Sequence, residues 1–442
     1  AWAATTAAER AGVLFRAAAW MRARRNELAA LEVFEAGKPW PDADADVCEA
    51  IDFCEYYGRQ MLRLDAGATV DSPPGESNAL QYRGRGVGVV ISPWNFPLAI
   101  PTGMVAAALV TGNSVVFKPA EQTPAVAAQL VEAFSAAGLP EGVLAFVPGL
   151  GDEVGAPLVE HPAVSFIAFT GSLPVGLGIV ETAAVHRPGQ RHVKRVVAEM
   201  GGKNAVIVDA DADLDQAVPI VITSAFGYSG QKCSACSRLV VVDGGAGGAE
   251  QLLERLVGRA RGLRIGHPSE MGVDLGPLID AEAHRRVRSY VEDAGDEGRV
   301  ALTRHDVPSR GFFVGPTIVT DVPPRGRLAT DEIFGPVLSV MRVDTFDEAL
   351  AVANDTDYAL TAGVVSRSPS HIDEAVRQLR AGNVYVNRAI TGAVVGRQPF
   401  GGFGLSGVGS KAGGPDYLLQ FLDPVAVSEN TLRQGFAPDD GD

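Results

Sequence analysis

Cysteine and histidine are scarce in this sequence, and their scarcity excludes several classes of protein. Four cysteines among 442 residues are too few for the disulfide framework of many secreted chains, so we expect free thiols and a reducing, cytoplasmic location. The seven histidines are scattered without the spacing of metal ligands, and the chain has one CxxC pattern, formed by Cys233 and Cys236. We therefore predict that the protein holds no metal.

Long apolar runs and clusters of basic residues are missing as well. The longest apolar run, from about Met104 to Val110, falls well short of the roughly 20 residues that span a bilayer. The formal net charge is −15, and no cluster of Lys and Arg offers the phosphate contacts that nucleic acids require. These absences predict an acidic soluble enzyme with a small-molecule substrate and without nucleic-acid or membrane partners.

The first 85 residues predict two helices and a hairpin. The chain begins on Ala1 inside a helical pattern, without a signal peptide, so we expect an N-terminal segment to be missing. Helices are predicted over about 6–37 and 46–62. The turn-rich stretch 71–75 separates two short extended pieces, which predicts a hairpin within about 63–83.

The rest of the chain alternates β-branched runs with helical stretches. One such series covers 86–171, and a second begins near Gly201 and continues to about Val386. A βαβ rhythm is typical of parallel sheets covered by helices on both faces. The fold class is therefore α/β, with two doubly wound parallel-sheet domains, and the junction between them is a candidate cleft.

Cys233 is the best candidate nucleophile in the chain. It lies among small residues in the stretch 229–238, directly after Lys232, and a nearby cation lowers the pKa of a thiol from its usual value of about 8.5. Taken alone, Cys233 fits an inert buried thiol better, and a redox pair with Cys236 is a third possibility.

Asn95 and Glu199 are candidate partners of that nucleophile. Asn95 lies between two prolines after a predicted strand, where its side-chain amide is fixed well enough to donate to a developing oxyanion. Glu199 ends another strand before two glycines and has the chemistry of a general base for water. A turn asparagine and a paired surface acid are the alternatives.

Two further stretches have the character of a nucleotide site. The segment 169–176 follows a strand and opens a helix, a geometry that suits a phosphate at the helix N-terminus. Lys118 and Glu121 follow another strand, where a ribose or a surface salt bridge would suit them equally. The GxGxxG at 402–407 follows no predicted strand and opens no βαβ unit, so we reject it as a dinucleotide fingerprint.

Together and in this order, these stretches resemble the aldehyde dehydrogenase superfamily over nearly the whole chain. The motifs are Pro-Trp-Asn-Phe-Pro (93–97), Phe-Lys-Pro-Ala-Glu (117–121), Phe-Thr-Gly-Ser (169–172), Glu-Met-Gly-Gly-Lys (199–203), Gly-Gln-Lys-Cys (230–233), Glu-Ile-Phe-Gly-Pro (332–336) and Pro-Phe-Gly-Gly (399–402). The stretches 230–238, 391–400 and 411–417 are similar to one branch of it. That branch comprises the L-glutamate γ-semialdehyde dehydrogenases, or Δ1-pyrroline-5-carboxylate dehydrogenases, of proline catabolism.

The resemblance implies a catalytic role for three residues. Cys233 would attack the aldehyde, the Asn95 amide and the Cys233 N–H would hold the oxyanion, and Glu199 would activate the water that hydrolyses the thioester. NAD would be the cofactor, since the Glu121 carboxylate would repel a 2′-phosphate. The residues implied for cofactor binding are Trp94, Lys118, Glu121, Gly171, Ser172, Gly176, Glu332 and Phe334.

The same resemblance implies how an amino-acid aldehyde would be bound. Its α-carboxylate would meet Lys232, Ser234 and the backbone at Gly392 and Ala393. Its amino group would face Glu49. Phe96 and Phe400 would pack against its aliphatic part.

The implied domain plan has three segments. Residues 1–200 would form the NAD-binding domain with the hairpin of a small oligomerisation arm, residues 201–405 the catalytic domain, and residues 406–442 a return to the first domain ending in the arm. An arm implies a homo-oligomer, at least a dimer. Relatives normally carry a substantial segment before the first helix seen here.

Three alternatives remain. The chain could oxidise another acidic semialdehyde, it could be the dehydrogenase half of a bifunctional proline-oxidising protein, or it could bind cofactor without turnover.

Overall fold

The computed structural model describes residues 1–68, 70–243 and 247–432. The helices are α1 (Ala7–Ala23), α2 (Arg25–Glu35), α3 (Trp40–Leu64), α4 (Ala99–Val110), α5 (Pro124–Ala136), α6 (Ala156–Glu160), α7 (Leu173–Ala184), α8 (Leu214–Phe226), α9 (Gly248–Arg261), α10 (Ala281–Glu292), α11 (Ala294–Glu297), α12 (Arg327–Thr330), α13 (Phe346–Asn354) and α14 (Pro369–Gln378). The strands are β1 (Glu76–Gly84), β2 (Val87–Ile91), β3 (Ser114–Lys118), β4 (Leu144–Phe146), β5 (Val164–Thr170), β6 (Arg195–Glu199), β7 (Asn204–Val208), β8 (Cys236–Val242), β9 (Arg299–Thr303), β10 (Thr317–Thr320), β11 (Val337–Val343), β12 (Tyr358–Ala359), β13 (Thr361–Val365), β14 (Asn383–Val386), β15 (Phe403–Gly404), β16 (Gly407–Val408) and β17 (Leu422–Asn430).

The first helical stretch consists of two helices rather than the one predicted. A capping box between Thr6 and Glu9 begins α1, because each residue satisfies a backbone N–H of the other. The helix stops at Arg24, whose φ of −110° and ψ of 16° are not helical. α2 then runs to Glu35, and Gly37 follows in the left-handed region at φ 66°, as a glycine after a helix often does.

The first sheet has the strand order β16-β6-β5-β2-β3-β4. Its neighbours from β6 to β4 are parallel, and β16 joins β6 antiparallel. Both faces of β5 are buried: Phe166 and Ala168 belong to the core under α4 and α5, while Ile167 and Phe169 pack towards α7. Because parallel strands end at one edge, the segments after β2, β5 and β6 meet there.

The second sheet has the order β14-β13-β7-β8-β11-β10-β9. Every pairing in it is parallel except that of the edge strand β9 with β10. The predicted α/β class with two parallel-rich sheets is thereby confirmed. β16 lies in the first sheet although it follows the second in sequence. The division at 200 and 405 stays a prediction, and residues 433–442 of its last segment lie outside the described residues.

The predicted hairpin within 63–83 is reduced to a single antiparallel bridge between Ala68 and Leu80. α3 continues to Leu64, and β1 pairs antiparallel over its whole length with β17. The turn residues 71–75 therefore reverse the chain, but the main partner of β1 is another strand. A sequence pattern identifies turns between neighbours, whereas the partner of β1 is at the other end of the chain.

Neither a membrane helix nor a metal cluster occurs in the part of the chain that the structure describes. No helix there combines the length and apolar character needed to cross a bilayer. No group of three or more His, Cys, Asp or Glu side chains there is placed to hold a metal ion.

Gly88 is a point at which the first sheet tolerates no side chain. A Cβ on Gly88 would lie 1.9 Å from Cζ of the fully buried Phe166 on β5. We expect Gly88→Ala to lower the free energy of unfolding by about 2 kcal/mol, because the phenyl ring must move within a packed core. Urea unfolding followed by fluorescence measures the change.

Gly178→Ala is the matched control for that substitution. Gly178 lies inside α7, and no atom would come within 4 Å of its added Cβ. This change should raise stability by up to about 1 kcal/mol, since alanine favours helices over glycine. Equal effects of the two substitutions would contradict the packing argument.

Candidate active site

Cys233 lies where two cavities meet. The first has a volume of about 620 Å³ and is lined by Glu49, Glu199 and mainly apolar side chains. The second has a volume of about 1560 Å³ and extends from Asn95 to the beginning of α7. Both are lined by Thr170, Met200 and Cys233. A molecule in either cavity therefore has access to the same sulfur.

A sharp turn before Cys233 fixes its position. Tyr228 and Ser229 have φ values of 51° and 54°, and Gly230 follows at 71°, so three successive residues are in the left-handed region. A Cβ on Gly230 would lie 2.3 Å from the carbonyl oxygen of Gly335. Such a turn costs free energy and persists because its surroundings impose it.

Hydrogen bonds from three side chains impose that turn. The Tyr228 hydroxyl donates to the Ala36 carbonyl at 2.7 Å, and the Ser229 hydroxyl donates to the Gly276 carbonyl at 2.8 Å. The Gln231 side chain accepts from the backbone N–H of residue 279 at 2.9 Å. The loop that carries Cys233 is thus anchored to other elements on both sides of the turn.

The thiol of Cys233 is not activated by Lys232 in this structure, contrary to the sequence-based hypothesis. Burial, together with the carboxylates of Glu332 and Glu199, raises the pKa of Cys233 to about 12. Lys232 points its ammonium group to Asp42, with Nζ 2.6 Å from Oδ1. Although Lys232 and Cys233 are neighbours in sequence, the ammonium group does not stabilise a thiolate, because Lys232 forms its ion pair with Asp42 on α3. The resting sulfur is a neutral thiol.

Glu199 ends β6 and is held by the glycine-rich segment that follows the second sheet. Its Oε2 accepts from the Gly402 N–H at 3.1 Å, and its backbone pairs with Gly407 on β16. Burial raises the pKa of Glu199 to about 8, although the Gly402 N–H and Lys411 act in the opposite direction. The GxGxxG segment at 402–407 therefore holds the Glu199 carboxylate through the Gly402 N–H and pairs with its backbone through Gly407. It forms the short strands β15 and β16.

Asn95 belongs to the loop that follows β2. Its side chain is 5% exposed, and its Nδ2 donates to the Gln231 carbonyl at 3.0 Å. The amide has two protons, so one remains for a group in the second cavity, which Asn95 lines together with Cys233. The loop ends at α4, where the Ala99 N–H donates to the buried Asp46 at 2.6 Å.

Three of the predicted substrate-binding residues line the first cavity. Glu49, Ala393 and Phe400 stand around the same space as Cys233 and Glu199. Burial, followed by the repulsion of Asp46, raises the pKa of Glu49 to about 8. A cationic group bound beside Glu49 would favour the ionised carboxylate and would in turn be attracted by its charge.

The other four predicted substrate residues do not line that cavity. Lys232 borders a smaller space behind Glu332 and Phe334. The Phe96 ring lies under Lys38, with Nζ 4.4 Å from the ring centroid. Ser234 is 6% exposed. Gly392, at φ 74°, precedes the lining residue Ala393.

Five of the predicted cofactor residues line the second cavity: Trp94, Gly171, Ser172, Glu332 and Phe334. Ser172 is the N-cap of α7, and its side chain makes no capping hydrogen bond. The Trp94 and Phe334 rings meet edge to face, with centroids 5.5 Å apart. Glu332 Oε1 accepts from the Gly202 N–H at 3.0 Å.

The remaining three lie outside its lining. A Cβ on Gly176 would be 2.4 Å from Sδ of Met200, so this glycine allows α7 to approach β6 closely. Lys118 donates to the Pro119 carbonyl at 2.9 Å and lies 3.3 Å from the Glu121 carboxylate. Glu121 is thus paired with Lys118. This pair is compatible with both interpretations of the sequence, a ribose site and a surface salt bridge.

Sequence reasoning missed several residues of both cavities. They are Phe53, Met104, Val395 and Tyr417 in the first, and Arg286, Asp357 and Tyr358 in the second. The sequence gives no signal that distinguishes these residues from other residues of the same helices and loops. It also gave no role to Lys411, which donates to the Gly382 and Gly401 carbonyls and to the Asn383 side-chain oxygen.

A cysteine between two cavities, with a carboxylate in one and a helix N-terminus in the other, is an arrangement that suits an enzyme of covalent catalysis. The profile of the aldehyde dehydrogenase family matches residues 1–427. The chain belongs to that family, as the motifs predict.

The individual relatives are closely similar in sequence. The chain is 51% identical to 1-pyrroline-5-carboxylate dehydrogenase of Geobacillus thermodenitrificans over 428 residues, which cover 97% of this chain and 82% of the relative. It is 52% identical to the enzyme of the same name from Bacillus cytotoxicus over 420 residues, 95% of this chain and 81% of the relative.

Solved structures agree with the sequence comparison. A 1-pyrroline-5-carboxylate dehydrogenase from Thermus with bound NAD superimposes with a TM-score of 0.94 at 51% identity, over 97% of this chain and 83% of that one. Proline utilization A from Bdellovibrio bacteriovorus superimposes with a TM-score of 0.96 at 51% identity and covers 99% of this chain. The chain spans 45% of the length of that protein.

Proposed function

We propose that the protein oxidises L-glutamate γ-semialdehyde to L-glutamate with NAD, the second step of proline catabolism. The observation that carries this proposal is the position of Cys233 between a cavity with two carboxylates and a larger cavity at the N-terminus of α7. The names of the relatives support the choice of substrate.

The first half of the reaction forms a bond between Cys233 and the aldehyde carbon. The sulfur attacks as a thiolate, and the resulting oxyanion receives hydrogen bonds from the second proton of Asn95 Nδ2 and from the Cys233 N–H. Because the resting pKa of the thiol is about 12, its proton must be removed, and the Glu199 carboxylate in the same cavity is the acceptor that we assign. Hydride loss then leaves a thioester.

The second half hydrolyses that thioester. Glu199, once it has released its proton to solvent, takes a proton from water, and the hydroxide adds to the thioester carbonyl. Glutamate leaves as the Cys233 thiolate is restored. A base with a pKa of about 8 suits both proton transfers near neutral pH.

The second cavity has the properties that a dinucleotide requires. Its volume of about 1560 Å³ accommodates a large ligand, and the N-terminus of α7 presents free N–H groups beside Gly171 and Ser172 for a pyrophosphate. NAD, when bound, supplies the acceptor for the hydride. Glu332 would hold the ribose nearest the reaction, with Trp94 and Phe334 beside it.

Cofactor choice would depend on two residues at and after the end of β3, which lie outside the lining of the second cavity. Lys118 and Glu121 would hold the adenosine ribose, and the Glu121 carboxylate would repel the 2′-phosphate of NADP. Gly176 contributes through the close packing of α7 on β6.

The first cavity distinguishes an amino-acid aldehyde from a simple one. Glu49 would face the amino group, whose positive charge favours ionisation of the carboxylate. Phe400 and Phe96 would pack near the aliphatic chain. The α-carboxylate would meet Ala393, Gly392 and Ser234, with Lys232 contributing its charge in competition with Asp42.

We also propose a homo-oligomer in the cytoplasm. The β1–β17 ribbon has two strands with mostly exposed or half-buried residues. A two-stranded ribbon alone is marginally stable in water, so a second copy of the chain is the natural partner for it.

A comparison of aldehydes tests the proposed function. NADH formation is measured with L-glutamate γ-semialdehyde, succinate semialdehyde and butyraldehyde. We expect the first to have the highest kcat/KM by at least about tenfold, since one charge-assisted contact contributes roughly 1.5–3 kcal/mol. Glu49→Gln should reduce that preference while leaving butyraldehyde oxidation unchanged. Equal kcat/KM for all three would refute the substrate assignment, and preference for succinate semialdehyde would favour another acidic semialdehyde.

A further inference from the structure

One peptide group connects a lysine to the carboxylate of Glu199. The N–H of Gly402 donates to Glu199 Oε2 at 3.1 Å. The carbonyl oxygen of Gly401 belongs to the same peptide group and accepts from Lys411 Nζ at 2.5 Å. Lys411 therefore binds one end of the dipole whose other end binds Glu199.

The other hydrogen bonds of the Lys411 ammonium group are made in the same region. Its remaining acceptors are the Gly382 carbonyl at 2.6 Å and the Asn383 side-chain oxygen at 3.4 Å. The Asn383 oxygen also accepts from the Gly401 N–H at 3.2 Å. Glu199 is the carboxylate whose field raises the pKa of Lys411 against the effect of burial.

Glycines make this close arrangement possible. A Cβ on Gly401 would lie 2.7 Å from Glu199 Oε1, and a Cβ on Gly382 would lie 1.9 Å from the Gly401 oxygen. A side chain at either position would separate the lysine, the peptide group and the carboxylate. The first glycine of the Pro-Phe-Gly-Gly stretch, Gly401, thus has a physical reason in the space beside Glu199.

We propose that Lys411 is a positioning residue that acts through the 401–402 peptide group to hold Glu199 in place and to favour its ionised form. Hydrogen bonds in series polarise one another, so a cation on the carbonyl strengthens the N–H as a donor to the carboxylate. This role of Lys411 rests on the proposed function, in which Glu199 is the base of the hydrolytic step.

The other titratable groups around Glu199 cannot supply this effect. Cys233 from the loop before β8, Glu49 from α3 and Tyr417 from the turn before β17 line the same cavity. None of the three is a cation, and an ionised Glu49 or Cys233 would oppose ionisation of Glu199. Lys411 is the charged group that lowers the pKa of Glu199, against the larger effect of burial.

The test follows hydrolysis of an acyl group on Cys233 without NAD or an aldehyde. With p-nitrophenyl acetate, the sulfur displaces p-nitrophenolate and keeps an acetyl thioester. Water then adds to the thioester, Glu199 accepts the proton, and acetate leaves as the thiolate is restored. The burst of p-nitrophenolate counts acylated sites, and the steady rate measures hydrolysis across pH.

Lys411→Met is compared with the wild type and with Lys411→Arg. The midpoint of the hydrolysis profile should move upward by about one pH unit in K411M, the usual scale of a lost charge interaction. At neutral pH this shift lowers hydrolysis by about tenfold, while the burst amplitude stays the same. K411R retains a cation for the Gly401 carbonyl and should keep a midpoint close to that of the wild type.

Two results would overturn the proposal. One is an unchanged midpoint in K411M, whether its rate is normal or uniformly reduced, since uniform loss indicates a structural role alone. The other is an equal shift in K411M and K411R. If K411M fails to fold, Lys411→Gln replaces it and the same comparison decides. A wild type that hydrolyses the ester but forms no NADH from the aldehyde would count against the proposed function and leave this test intact.

Discussion

Cys233→Ala should abolish NADH formation, with a loss of at least about 10⁴-fold in kcat, because no other group can form the covalent adduct. The substitution removes one sulfur from the point where the two cavities meet and leaves the loop hydrogen bonds of Tyr228, Ser229 and Gln231 in place. Single-turnover measurements with saturating aldehyde and NAD give the rate.

Cys236→Ala is the matched control for this experiment. Cys236 lies three residues further on, is 1% exposed and lines neither of the two cavities. Burial raises the pKa of its thiol to about 12, as it does for Cys233. The two variants thus differ in access and not in thiol chemistry. Substantial activity in Cys233→Ala, or an equal loss in both, would contradict the assignment of the nucleophile.

The order of the motifs was sufficient to predict the family and the two-sheet fold. Strands rich in β-branched residues that alternate with helices leave few topologies, so the sheets could be inferred. The edge at which β2, β5 and β6 end follows from that topology. Asn95 and Glu199 could therefore be selected as candidates before any coordinate was known.

The ion pairs and remote contacts could not be predicted in the same way. Lys232 directly precedes Cys233 in sequence but binds Asp42 on α3, and no local pattern reveals that partner. Local sequence likewise gives no sign that β1 pairs along its whole length with β17 and makes only one bridge, at Ala68, with the stretch before it. Both errors came from giving a residue the partner nearest in sequence.

The support of Glu199 shows a further limit. In the sequence, Gly401 and Gly402 belong to one motif and Lys411 to another stretch, and nothing there indicates a contact between them. Only the fold shows that one peptide group lies between that cation and the carboxylate. Main-chain donors and acceptors occur at every position, so their functional use has no signature in the sequence.

Glu199→Gln should slow both halves of the reaction, because the carboxylate accepts the thiol proton in the first half and a proton of water in the second. The first turnover of NADH and the steady rate should each fall, the steady rate by roughly 10²- to 10⁴-fold, the usual contribution of a general base. In the wild type the hydrolytic rate should rise with pH through about 8, because Glu199 has a pKa of about 8 and acts only when ionised. In the variant this rise should be absent. Rapid-mixing NADH traces and mass spectrometry of the acylated chain record both effects.

Thermal unfolding provides a second, independent measure of the same carboxyl group. The pKa of Glu199 is raised to about 8 from an ordinary value of 4.5, so the folded state binds its proton more tightly than the unfolded chain does. This contribution to the free energy of unfolding is complete below about pH 4.5 and is lost as the pH rises through about 8. Glutamine carries no such charge, so the variant should gain stability relative to the wild type as pH increases over that range. A constant difference in unfolding temperature between pH 5 and 8.5 would show that Glu199 is not a buried base, even if turnover were lost.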